Sequence, residues 1–352
     1  YPDKYAQGSY YNGIANYFGN TSRDVLGIAT GDINNDGFED AVCAVRVSDT
    51  SGGLETWINQ GNGRPGYLGT GTATTVPSNY FSNGTGSGQA IAMADLDLDG
   101  DLDVALGTRT GNSSGKIEIW LNTGSGSFNR HAQYSAQGRV ESIALGDFDG
   151  DGWMDVAAGT RTHHVQFNGK IEVWRSTGGG NFNASGNWTS SGVVNDLVAE
   201  SMNAGGTVDL VAGVQTSNTQ GRVELWLNNG SGSMSKGDEA IADGAVYSVA
   251  VGPLDAGNSS PDIAAGNGNK SVQVWFCNPL ATNTADIIPT NESWADANAG
   301  GTVHALSVRR IEASTLTPYN DKLYDIVCGT SINASSGEVV IYLNPYVWTL
   351  NP

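Results

Sequence analysis

The sequence predicts an all-β chain built from six copies of one four-stranded antiparallel sheet, and three observations predict it. A strand-like run ending in an aromatic recurs at Trp57, Trp120, Trp174, Trp226, Trp275 and Tyr342. An aspartate opening a small apolar run recurs at Asp40, Asp103, Asp155, Asp209, Asp262 and Asp325, with separations of 63, 52, 54, 53 and 63 residues. The 352 residues include 49 glycines and no long apolar segment of helical period, which suits many short strands joined by tight turns. Radial repetition of four-stranded sheets is how a long antiparallel chain leaves only short, protected edges, so the expected architecture is a six-bladed β-propeller.

The repeats run approximately over 24–82, 86–136, 138–190, 192–241, 244–290 and 301–345, read as one domain over 1–352. Each opens with an apolar first strand, turns through a loop into the aspartate-led second strand, and passes a polar turn into the aromatic-ended third. After Trp120, Gly124-Ser125-Gly126-Ser127 reads as a hairpin turn into a weaker fourth strand, and similar signals follow Trp174 and Trp226. Residues 1–20 contain an outer-strand pattern without a repeat of their own and are expected to close the ring. Tyr346-Val347-Trp348 competes for that place, and seven blades with irregular ends is the alternative.

The loop between first and second strands carries the chemistry. In three repeats it is a nonamer with oxygen-bearing side chains at positions 1, 3, 5 and 9 and glycine at position 6. The residues are Asp32, Asn34, Asp36 and Asp40; Asp95, Asp97, Asp99 and Asp103; Asp147, Asp149, Asp151 and Asp155. Carboxylates gathered on one concave side repel one another unless a cation neutralises them, and an all-oxygen set suits calcium. Magnesium rarely uses an all-protein oxygen cage. An EF-hand would need Glu at position 12 and flanking helices; here position 12 is Cys43, Leu106 or Ala158, inside a strand-like run. Because every ligand belongs to one hairpin and no open coordination position is implied, three structural calcium ions are expected.

The later repeats depart from this pattern. The fourth has Ser201, Asn203 and Gly205 before Asp209, the fifth has Pro253, Asp255 and Gly257 before Asp262, and the sixth passes through Arg309-Arg310 to Asp325. Calcium is not expected there, and a fixed positive charge from Arg309 or Arg310 near Asp325 is the substitute.

These nonamers inside a repeat of about 50 residues resemble the FG-GAP/VCBS repeats of integrin α-chain propellers and of many secreted proteins, over nearly the whole chain and most specifically in the first three repeats. The resemblance implies the ligands named above, with backbone carbonyls at position 7 from Phe38, Asp101 and Trp153. It also implies a module that binds proteins or sugars, in some cases as part of an enzyme.

Charge and composition narrow the partners. A formal charge of −19 argues against nucleic acid and anionic membranes, and no apolar run reaches the length of a membrane span. The first residues are not those of a signal peptide, so the chain reads as a mature or trimmed product. Three cysteines cannot all pair, and Cys43 and Cys328 read as buried free thiols.

Six residues after each second-strand aspartate stand Arg46, Arg109, Arg161, Gln215, Gly268 and Ser331. They could grip an acidic ligand, but Glu55, Glu118, Glu172 and Glu224 recur on the third strand and disappear where the cation or amide does, which predicts cross-strand Arg–Glu pairs. The recurrent tryptophans are expected in the core between blades rather than as sugar platforms. Tyr67, Tyr80, Phe81, Trp188 and Trp294, outside the repeat frame, are the aromatic candidates for a ligand surface. His163-His164 lacks a third metal ligand or a nucleophile and reads as a turn, and no catalytic motif is present.

Metal loops and second-to-third-strand hairpins fall at opposite ends of a blade, so binding is expected at the hairpin end. The expected function is an extracellular, calcium-stabilised module recognising a protein or glycan without catalysis. Alternatives are a lectin with pockets between blades, the propeller of a polysaccharide lyase-type enzyme, or an architectural part of a surface assembly.

Overall fold

The structure is a computed structural model, and it describes residues 23–59, 79–82, 86–203, 205–254, 261–278, 288, 293–296, 299, 301–309, 325–333 and 336–342. Among these residues there is no helix, and strands account for six sheets. The first sheet is β1 (Asp24–Gly31), β2 (Asp40–Ser48), β3 (Ser51–Trp57) and β4 (Asn79–Ser82), in that spatial order. The second is β5 (Ser87–Ala94), β6 (Asp103–Arg109), β7 (Gly115–Asn122) and β8 (Phe128–Ala136). The third is β9 (Arg139–Gly146), β10 (Asp155–Arg161), β11 (Gly169–Gly178) and β12 (Asn181–Thr189).

The remaining three repeat the plan. They are β13 (Val193–Glu200), β14 (Asp209–Gln215), β15 (Gly221–Asn228) and β16 (Met234–Ala242); β17 (Val246–Gly252), β18 (Asp262–Asn267), β19 (Val272–Trp275) and β20 (Ser293–Asp296); and β21 (Thr302–Arg309), β22 (Asp325–Asn333) and β23 (Ser336–Tyr342). Each sheet is a blade-type meander of sequential antiparallel strands, so the fold class is the all-β one expected. The sixth sheet shows three strands; the segments expected to complete it, residues 1–20 and 346–348, lie outside the described residues.

The chain divides into two compact units. One takes in the described residues up to Val194 together with Gly230–Ser233, and the other the described residues of 195–229 and from Met234 onward. The first unit contains the three sheets with acidic loops.

Second strands are the most buried because they have neighbours on both edges and both faces. β6, β10 and β14 read as continuous apolar and small residues and are buried almost throughout. A glycine four residues after the strand-opening aspartate lets the next first strand approach closely. A Cβ at Gly107 would fall 2.5 Å from Val140, at Gly159 2.4 Å from Val194, at Gly213 2.9 Å from Val246, and at Gly266 2.3 Å from Val303. In the first sheet both positions are small, with Ala44 at the glycine position and Gly88 at the valine position. Small against branched is how facing layers interdigitate without voids.

The first strands bulge near their start, where register slips between Val25 and Gly27, Gly88 and Ala90, Val140 and Ser142, Val246 and Ser248, and Val303 and Ala305. A bulge re-aims the extra side chain. Those residues are Leu26, Gln89, Glu141, Tyr247 and His304.

The five tryptophans ending the third strands are buried, between 2 % and 5 % exposed, as expected of core. Trp120 and Trp226 donate their indole N–H to Glu118 and Glu224 at 3.2 and 3.1 Å. Cys43, Cys277 and Cys328 are buried thiols, and no disulfide ties the described residues.

Candidate metal centre

The position-1 carboxylate organises each acidic loop by collecting backbone N–H groups. Asp32 accepts from Asn34, Asp36 and Gly37 at 3.3, 3.1 and 2.7 Å. Asp95 accepts from Asp99 and Gly100 at 3.2 and 3.0 Å, and Asp147 from Gly150, Asp151 and Gly152 at 2.7, 3.2 and 2.9 Å. These Asx turns need a left-handed residue at the bend, supplied by the position-6 glycines Gly37, Gly100 and Gly152 at φ of 87°, 96° and 89°. The position-5 acid then takes the N–H of position 7: Phe38 to Asp36, Asp101 to Asp99 and Trp153 to Asp151, each at 2.9 Å.

This curl brings acids together. Carboxylate oxygens of Asp95, Asp97 and Asp99 lie within 4.8 Å of one another, as do those of Asp147, Asp149 and Asp151. In the first loop Asn34 stands between the acids, accepting from Asp36 N and donating to Asp36 Oδ2. Burial, with the charges of Asp99 and Asp95 added, raises the Asp97 carboxyl. On Asp32 the opposing backbone N–H groups outweigh desolvation and hold the carboxyl below its ordinary value.

The donor set fits calcium on an observation beyond composition: Asp149, one of the clustered acids, has its Oδ1 buried with no hydrogen-bond partner. Oxygens of Asp95, Asp97 and Asp99, and of Asp147, Asp149 and Asp151, would hold such an ion, which would supply the neutralising charge.

Position 9 behaves differently. Asp155 accepts Phe148 N at 2.9 Å through one oxygen and Ser176 N at 2.7 Å through the other. Asp103 does the same with Leu96 and Asn122 at 2.9 and 2.8 Å, and Asp40 with Ile33 and Asn59 at 3.2 and 2.6 Å. Asp209 and Asp262 repeat both bonds in sheets whose loops have lost the acids, to Met202 and Asn228 and to Leu254 and Cys277. In these five sheets the aspartate is therefore a backbone clamp, joining loop to third strand whether or not the loop can hold a cation. Burial pushes Asp103 and Asp155 up to about 6, against the pull of those N–H groups.

The clamp grips position 2, whose side chain is a core plug. Ile33, Leu96, Phe148, Met202 and Leu254 are all at most 3 % exposed. In the first unit the same residue offers its carbonyl onward: Asn122 Nδ2 donates to Ile33 O at 2.8 Å, Gly180 N to Leu96 O at 3.3 Å and Gly232 N to Phe148 O at 2.9 Å. Loops one and two are also tied directly, by Asn35 Nδ2 on Asp101 Oδ1 at 2.7 Å. Sequence reading missed these plugs; the signal was an apolar residue inside each acidic nonamer.

At the other end of the blades the expected Arg–Glu pairs do not form. Register places Gly52, Gly115 and Gly169 opposite Arg46, Arg109 and Arg161, while Glu55, Glu118 and Glu172 stand opposite Cys43, Leu106 and Ala158. A three-residue offset puts the two side chains on opposite faces of the strand, which rules out the pairing. The glutamates are buried and served from elsewhere: Glu55 by Arg23, Glu118 by Arg130 at 3.8 Å, Glu224 by Lys236 at 2.9 Å, and Glu172 by the backbone N–H of Gln137 at 3.0 Å. The covariation with Arg reflected the common repeat frame, not a contact.

The arginines meet local acids instead. Arg46 bonds Asp24 at 2.6 Å, Arg109 bonds Asp49 and Asn112 at 3.1 Å each, and Glu141 lies 2.5 Å from Arg139 and 3.5 Å from Arg161. Asp24 and Asp49 are more than half exposed, so those pairs are weak and open to competition. His163 and His164 stack at 5.2 Å, and His163 Nδ1 caps its turn by accepting from Val165 and Gln166.

Of the aromatics expected at a ligand surface, Phe81 is instead partly buried, packed against Trp120 and Phe128 in a structural role. Tyr80 sits under the Arg23 guanidinium and donates to Gly52 O. Trp188 is part-exposed on β12. Tyr67 and Arg310 lie outside the described residues, as do the side chains of Trp294, Arg309 and Asp325.

Fold and loops together define a protein of repeated propeller blades with acidic hairpins. Consistent with this, the chain carries FG-GAP-like repeats in two places, at residues 32–106 and 99–158. Among solved structures, the chain is similar to BBS1N as seen in a crystal with ARL6DN soaked with mercury, at 12 % identity and TM-score 0.51, over 91 % of each chain. A second crystal of that complex, soaked with lead, gives 13 % identity and TM-score 0.47 over 93 % of this chain and 94 % of that one. No curated protein matches the sequence.

Proposed function

We propose that the chain is a recognition module of the extracellular space, with calcium in its acidic hairpins stiffening one end of the blades and a protein partner bound at the other. The observation that carries this is the segregation of charge in the first three sheets. Acids at the loop end converge on one another, whereas Arg46, Arg109, Arg139 and Arg161 at the hairpin end meet acids that are partly exposed. A guanidinium in a labile surface pair is ready to exchange its partner for a ligand carboxylate.

The similarity to BBS1N, crystallised with ARL6DN, supports a protein as the partner class, since it places a protein complex on the same fold. A glycan partner is the second arm of the same experiment. The buried tryptophans take away the stacking platforms that a lectin with pockets between blades would use.

The test is surface plasmon resonance of the folded chain against arrays of purified extracellular proteins and of glycans, in calcium. A specific protein ligand whose affinity falls at least tenfold in Arg109→Gln with Arg161→Gln supports the reading. A ligand indifferent to both arginines, or none in either array, overturns it.

A further inference from the structure

We propose that Arg175 is a built-in counter-cation of the third acidic loop, so that this loop takes calcium more weakly than the second and keeps its shape without it. The proposal rests on the reading that these loops bind calcium, and adds an order of filling to it.

Loops two and three are a matched pair. Both have aspartates at positions 1, 3, 5 and 9, both curl on a position-1 Asx turn, and both gather three carboxylates within 4.8 Å. They differ in what stands behind them. The residue after the third-strand tryptophan is Ile58, Leu121, Leu227 or Phe276 in the other sheets, and Arg175 in the third. Its Nη1 reaches Asp149 Oδ2 at 3.3 Å. Among the described residues, no ion pair from lysine or arginine reaches Asp95, Asp97 or Asp99.

The side chain is 45 % exposed, and its stem is steered towards the loop by the turn at Gly232, where a Cβ would come 3.0 Å from Arg175 Cδ; Gly232 itself donates to Phe148 O inside the loop. Because Asp149 uses Oδ2 for Arg175 and keeps Oδ1 buried and unpartnered, the loop retains a face for a cation. That cation would meet a site one charge unit less negative because of the guanidinium, which weakens binding at low salt and fades as salt screens it. In the ion-free loop the same charge relieves the repulsion of Asp149 with Asp147 and Asp151.

Isothermal calorimetry with calcium chloride on the full chain tests this. Asp36→Asn with Asp97→Asn silences the first two loops and reads the third; Asp36→Asn with Asp149→Asn reads the second. The third loop is expected to bind roughly tenfold more weakly at low salt, with the gap closing at high salt. Adding Arg175→Gln, which keeps most of the stem, should tighten the third loop by a similar factor and lower its melting temperature in EDTA. Equal affinities of the two loops, or an Arg175→Gln chain unchanged in both affinity and EDTA melting, overturns the role of Arg175 while leaving calcium binding intact. The comparison of the two loops needs no change at Arg175, so misfolding of that variant does not protect the proposal. Absence of calcium binding by the second loop overturns the underlying reading instead.

Discussion

Asp209 accepts the backbone N–H of Met202 at 3.1 Å in a loop that has lost every other acid of the metal-type nonamer. The same bond joins Asp155 to Phe148 in a loop that has all of them. One residue type at one position thus does metal-independent work in five of the sheets, and its recurrence within the chain cannot be read as ligation alone.

Asp209→Ala leaves the buried N–H groups of Met202 and Asn228 without acceptors. Stability should fall by about 2–4 kcal/mol, since each unsatisfied buried group costs on the order of 1–3 kcal/mol. Urea unfolding in calcium and in EDTA should give the same loss, and a loss that depends on calcium would contradict the clamp.

Removing calcium should lower the melting temperature by several degrees, because an ion bound only by the folded state stabilises it by mass action. Asp99→Asn should shrink that difference by depleting the second loop. Elemental analysis finding no calcium, with melting indifferent to EDTA, would falsify the metal assignment.

Gly213→Ala places a Cβ 2.9 Å from Val246 and 3.1 Å from Val249. Overpacking of this kind costs about 1–3 kcal/mol, and Val246→Ala added to it should recover part of the loss. A double-mutant cycle with no coupling between the two would refute the glycine–valine fit.

Burial pushes the Asp196 carboxyl up to about 6, against the N–H of Val249 and the hydroxyl of Ser248, each donating at 2.9 Å. The folded state holds this proton more tightly than the unfolded chain, so the group's contribution to stability falls as pH rises between about 4 and 6. Asp196→Asn removes the titration. Relative to the parent chain, the variant should gain on the order of 1–3 kcal/mol between about pH 4 and pH 7. Denaturation midpoints at pH 4.5, 6 and 7.5 check this, and a difference constant with pH would refute it.

What the linear chain determined by itself is everything that rests on period and local turn chemistry. Six strand-ending aromatics, six strand-opening aspartates and three acidic nonamers are visible because a tight hairpin reads only its own neighbours in sequence, so Asp95, Asp97 and Asp99 gather wherever the loop forms. Only the tertiary structure decided what meets across strands and sheets. It sent Arg109 to Asp49 rather than Glu118, because a three-residue offset turns a side chain to the other face. It packed Phe81 against Trp120, and it brought Arg175 to Asp149 from a different strand. Those contacts depend on register and on the packing of neighbouring sheets, quantities that no spacing along the chain encodes.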